Sequence, residues 1–245
     1  MGGNISSTQI IEPAGAAALL GWWLDSGVDL AIDEAPRDWR RAPVAPNAAT
    51  PPSAALAPSA PLPSVEAPAD LAAFRAWLAT APGLPLDRPG ARRALPAGAE
   101  AAPLMLLADF PSAQECAEGR PLAGEAWALA QRMLAAIAID PAAAYLATLS
   151  CFHVPGARLD PAELEWCGAL ARDHVRHARP ERLLLFGDAC ARALTGAPLA
   201  SARGKVHRVE GVRTVVTFHP RWLLQRPSDK ALAWKDLLLL MSEEG

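Results

Sequence analysis

Four short apolar runs in the second half of the chain, each followed by a longer stretch with helical spacing, leave few folds open. The runs are "PLMLLAD" (103–109), "AYLATLS" (144–150), "RLLLFG" (182–187) and "RTVVTFH" (213–219). Each reads as a strand buried on both faces. Between them, "GEAWALAQRMLAAIAI" (124–139), "DPAELEWCGALARDHVRHAR" (160–179) and "DACARALTG" (188–196) carry apolar residues at helical spacing. Asp160-Pro161 is an N-cap followed by proline in the first turn, and Gly196 is a C-terminal stop. From Trp222 to Leu240 a stripe of Leu and Trp reads as the packing face of an amphipathic helix. Strands alternating with helices predict a three-layer α/β/α sandwich around a central four-stranded parallel sheet.

The rest of the chain divides by composition. Residues 1–41 include "AAALLGWWLDSGVDLAIDEAPRDW", a helical segment that stops near Pro36. Residues 42–69 are dense in proline and alanine, which favours an extended linker over a packed core. Residues 70–245 make the folded domain. A net charge of −3 over 245 residues excludes a generally basic nucleic-acid coat, but permits a local basic face. The cysteines, Cys116, Cys151, Cys167 and Cys190, form no CxxC pair, so neither a disulfide scaffold nor an evident zinc site is expected. Reduced thiols, no signal-peptide pattern and no long apolar window predict a cytoplasmic protein with no membrane association.

In parallel sheets of this kind, ligands bind beyond the carboxyl ends of the strands. There the sequence places Asp109, Thr148, the helix start at Gly187, and His219 before Pro220. Taken singly, each has an ordinary structural explanation: a cap, a strand residue, a helix start, a hydrogen-bonding histidine. The segments "ARGKVHR" (202–208) and "HPRWLLQRP" (219–227) add basic and apolar residues nearby.

Taken in order, these segments resemble the uracil-DNA glycosylase superfamily, most nearly the iron–sulfur type called family 4. The resemblance runs through "ADFPSAQE" (108–115), "GRPLAG" (119–124), "YLATLSCFHVPGAR" (145–158), "DPAELEWC" (160–167), "FGDACARAL" (186–194) and "HPRWLLQRP". It implies a hydrolase that cuts the N-glycosidic bond of uracil or another damaged base flipped out of DNA. By the same resemblance, Asp109 activates water and His219 stabilises the departing base, while Pro111, Ser112, Leu122, Thr148 and Gly187 line the base site. Arg203, Lys205, Arg221 and Arg226 would meet phosphates, and Trp222 with Leu223 would wedge into the duplex.

The sequence also departs from the family. Thr148 stands in place of the asparagine that reads uracil, Leu122 in place of a stacking phenylalanine, and Asp109 in place of a glutamate. The paired cysteines of the cluster are absent, and Cys167 alone falls at a ligand position. No cofactor or metal is therefore expected, and the partner is DNA, met by a monomer. Two other readings remain open. One is a catalytically degenerate member acting as a DNA- or protein-binding module; the other is a hydrolase of a different nucleobase or nucleoside.

Overall fold

The computed structural model describes Pro68 and residues 70–153 and 159–242. All of these fall within Ser59–Gly245, one of two units into which the chain divides. The expected N-terminal segment, and all of the expected linker except Pro68, lie outside the described residues.

Five strands form one sheet: β1 (Met105–Ala108), β2 (Tyr145–Thr148), β3 (Arg182–Phe186), β4 (Val206–Val209) and β5 (Val212–Thr217), ordered β2-β1-β3-β5-β4. The four expected strands are mutually parallel, as the alternation with helices requires. The expected count of four is corrected to five, because part of the basic stretch at 202–208 pairs antiparallel to β5 as an edge strand. Its hairpin closes through Glu210 and Gly211, both at positive φ (50° and 80°), which matches a two-residue turn of the kind that follows strand twist.

The strand side chains alternate between two helical layers. Leu106, Leu184 and Val215 face a layer containing α3 (Gly124–Ala136) and α8 (Lys230–Met241). Leu107, Leu185 and Val216 face α4 (Pro161–Ala178) and α5 (Asp188–Thr195). Asp160 caps α4 through a capping box with Glu163, and Gly196 ends α5 in the left-handed region. A further helix, α1 (Leu71–Thr80), packs its Phe74 and Leu78 with Phe152 and Cys151. Short helices α2 (Ala113–Glu118), α6 (Leu199–Ala202) and α7 (Pro220–Gln225) complete the set among the described residues.

The single stripe expected from Trp222 to Leu240 is also corrected. A 3₁₀ turn at Pro227–Asp229 separates α7 from α8, as a proline that lacks a backbone donor dictates. Only part of the stripe is core: Leu223, Leu237 and Leu240 are buried, but Trp222, Leu232, Trp234 and Leu238 are exposed. No helix among the described residues is long and apolar enough to cross a membrane.

The register sets the ends of the parallel strands level. Thr148 pairs with Ala108, Ala108 with Phe186, and Phe186 with Thr217. The residues after these positions therefore emerge together along one edge of the sheet.

Candidate active site

His219 follows β5 and caps α7. Its Nδ1 accepts the backbone N–H of Arg221 at 3.1 Å, so that nitrogen carries a lone pair. Burial, reinforced by the neighbouring Arg221 charge, pushes its pKa down to about 3. At neutral pH the ring is therefore uncharged and its proton resides on Nε2. That Nε2 is buried and has no hydrogen-bond partner. An unpartnered buried donor costs about 1–3 kcal/mol and is rare in a folded protein. The imidazole sits beside Phe186 of β3, with ring centroids 6.1 Å apart.

Asp109 follows β1, and its carboxylate turns toward the start of α5. Oδ1 accepts the backbone N–H of Cys190 at 2.7 Å. The helix N-terminus, whose dipole favours an anion, thus holds the protein's own carboxylate. Gly187 permits this. A Cβ at position 187 would lie 1.9 Å from Asp109 Oδ2, and the residue holds φ 104°. Gly187 thus gives Asp109 its place at the helix start. Burial raises the Asp109 pKa to about 6 against the lowering effect of the Cys190 bonds. Gly187→Ala should expel the carboxylate from the start of α5 and lower the melting temperature, which a thermal melt checks.

The two chemical groups are tied by Arg221. Its backbone N–H orients His219, while its Nη2 donates to the carbonyl of Phe110, next to Asp109, at 2.8 Å. Its Nη1 pairs with Glu115 at 3.0 Å. Glu115 is 2 % exposed. It also accepts the N–H groups of Ser112 and Ala123, so one carboxylate gathers the two ends of the 112–123 segment and α7. His153 adds a bond from Nδ1 to the Pro111 carbonyl at 2.8 Å. Arg221 thereby acts as a clamp between the aspartate and histidine segments. Arg221→Ala leaves Glu115 buried without its cation and should cost about 2 kcal/mol, read by urea denaturation.

The other expected site residues fare differently. Thr148 lies at the level of Ala108, as the register requires. It lines an internal cavity of about 20 Å³ with Ser150 and His174, large enough for about one water but not for a base. Pro111 is buried, and Ser112 uses both its N–H and its hydroxyl in the capping box of α2. Ser112 also lines an open groove of about 460 Å³ with Glu115, Gly124, Arg221, Leu224 and Gln225. Leu122 is 1 % exposed and packs in the core with Ala108 and Phe186, which removes it from an open base site. Its φ of 51° is unusual for leucine.

Among the expected DNA contacts, Lys205, Trp222 and Arg226 are exposed. Arg203 is corrected. Its guanidinium makes two bonds to the buried carboxylate of Asp236, which also accepts from Thr217 at 2.7 Å. Leu223 is corrected as well. It is 1 % exposed and packs with Leu129 and Ala233, so it cannot act as a wedge in this conformation. Sequence reasoning did not anticipate the parts played by Glu115 and His153. A capping-box spacing from Ser112 to Glu115 was legible for the first; nothing in the sequence marked the second.

The family model for the uracil DNA glycosylase superfamily matches residues 95–238, more than half of the chain and all five strands. The chain belongs to the uracil DNA glycosylase superfamily. It is also similar to the type-4 uracil-DNA glycosylase of Archaeoglobus fulgidus, 26% identical over 141 residues that cover 53% of this chain and 71% of that protein. Membership sets it among DNA-repair hydrolases of the glycosylase class that act on DNA.

The type-4 resemblance raises the question of an iron–sulfur cluster, and the donor set does not fit one. Such a cluster takes four ligands, typically cysteine thiolates. All four cysteines are buried and free, and no three His, Cys, Asp or Glu side chains among the described residues are grouped to hold a metal. Around Cys151 the space is filled by Phe74, Leu78, Ala81, Leu84 and Phe152, with the Arg93 guanidinium 5.0 Å from the Phe152 ring centroid. Burial pushes the thiols of Cys151 and Cys167 up to about 12.

Proposed function

We propose that this chain is a DNA glycosylase that hydrolyses the N-glycosidic bond of uracil or another damaged base, with His219 and Asp109 as its catalytic residues. The observation that carries this is the neutral His219 with a buried, unpartnered Nε2–H at the strand end. In glycosidic cleavage the C1′–N bond breaks toward an oxocarbenium-like sugar, and the electron pair leaves with the base. The negative charge that builds on a base carbonyl oxygen needs a donor already in position. A neutral imidazole N–H supplies it without any reorganisation.

Asp109 acts on the sugar side. Its carboxylate, held at the start of α5 by Cys190, would orient a water and take its proton as the water adds to C1′. The products are the free base and an abasic site. The backbones of β1 and β5 are two strand spacings apart, about 10 Å, with β3 between them.

The test is an excision assay on oligonucleotides carrying uracil, hypoxanthine or ethenocytosine, followed by alkaline cleavage of abasic sites. Slow release of at least one base supports the proposal. Retained DNA binding with no release of any would favour a degenerate binding module instead.

A further inference from the structure

A glycosylase that works on duplex DNA must compensate for unstacking and unpairing the target base, and it commonly does so with an apolar side chain driven between base steps. In α7 that side chain is missing. Leu223 is buried against α3 and α8, and Leu224 is half-buried along the open groove. Trp222 is exposed, but it is pinned along the surface. Its Nε1 donates to Asp229 at 2.8 Å, and its ring stacks on Phe218 at 10° with centroids 6.5 Å apart. Insertion would break both contacts.

What the same residues build instead is a cation–aromatic ladder one residue away from His219. Arg203 lies 4.2 Å from the Phe218 ring centroid, Phe218 stacks on Trp222, and the Arg226 guanidinium lies 4.6 Å from the Trp222 centroid. The inner end is fixed by the Arg203–Asp236 pair, in which Asp236 is 1 % exposed. The outer end, Trp222 and Arg226, is open to solvent. Flat π-faces beside arginine form the kind of surface on which successive unpaired bases stack, whatever their sequence.

We infer that the substrate strand is single-stranded or locally unpaired DNA, with a base next to the target stacked on the Trp222–Arg226 platform. This rests on the glycosylase reading above. Because the target base is already unpaired, the site needs no wedge, and the shortage of one in α7 is explained.

The experiment presents one uracil-containing sequence as a single strand, as a perfect duplex and as a duplex with the uracil in a bubble. Single-turnover excision is measured for the wild-type chain, Trp222→Ala and Trp222→Phe. The single strand and bubble should be cleaved at least about tenfold faster than the duplex. Trp222→Ala should weaken apparent affinity for the single strand about tenfold, in line with the loss of one stacked base, and Trp222→Phe should recover most of it. Equal rates on all three substrates, or a Trp222→Ala loss confined to the duplex, would overturn the inference.

Fluorescence anisotropy of the same three DNAs without cleavage separates this inference from the catalytic one. Tighter, Trp222-dependent binding of the single strand upholds it even where no base is released. Equal binding of strand and duplex refutes it even where excision proceeds.

Discussion

His219→Ala should lower single-turnover base excision by about 10²- to 10³-fold, the usual effect of deleting one preorganised donor to a developing oxyanion. The ring donates from Nε2 only because Nδ1 is committed to the Arg221 N–H and burial keeps the imidazole neutral. Truncation to alanine removes that donor and the lone pair that holds the first turn of α7. His219→Gln separates the two effects, since its amide N–H₂ can donate from a similar distance and should recover part of the rate. Substrate affinity should change little in either variant, because the charge on the base appears only as the bond breaks.

Asp109→Asn should cost about 10³-fold in the same assay, within the range for loss of a general base. It should also change the pH profile. The ionised carboxylate is the active form, so the wild-type rate should fall tenfold per unit as pH drops below about 6. His219, with its pKa near 3, is neutral throughout that range and adds no limb of its own. The residual activity of Asp109→Asn should therefore be flat between pH 5 and 8.

Stability should move the other way. The folded pKa of this acid is raised above its ordinary value, so the folded state binds the proton more tightly than the unfolded state does. Its contribution to stability is greatest below pH 3.8, declines as pH rises to about 6, and is lost above that. An amide at position 109 keeps the bond from Cys190 and escapes the cost of burying a charge. Asp109→Asn should then melt no lower than the wild type at pH 8, which a purely structural role for the carboxylate would not allow.

The parallel core could be read in the sequence because short Leu, Val and Phe runs alternate with longer stretches of helical spacing. Strand β4 could not. Its four residues, "VHRV", set two polar residues between two valines and so lack a period of two, and the signal that mattered was the Glu210-Gly211 pair behind it. In the candidate site, Asp109 and His219 stood out because chain position alone puts them at strand ends. Arg221 looked like a surface cation because its partner, Glu115, lies 106 residues away in the chain. The same holds for Arg203, whose partner Asp236 lies 33 residues further along the chain. Leu223 and Trp222 are neighbours in sequence, and helical rotation alone turns one into the core and leaves the other outside. Partnership across the fold decides these cases, and periodicity carries no information about it.

The most direct measurement is a long-range ¹H–¹⁵N spectrum of the ¹⁵N-histidine-labelled chain, recorded from pH 5 to 8 with and without a single-stranded oligonucleotide carrying an uncleavable 2′-fluoro-uridine. His219 should remain the neutral Nε2–H tautomer across that range, and its Nε2 resonance should shift when the oligonucleotide binds. A His219 ring that titrates near 6.5 and ignores the oligonucleotide would contradict the account.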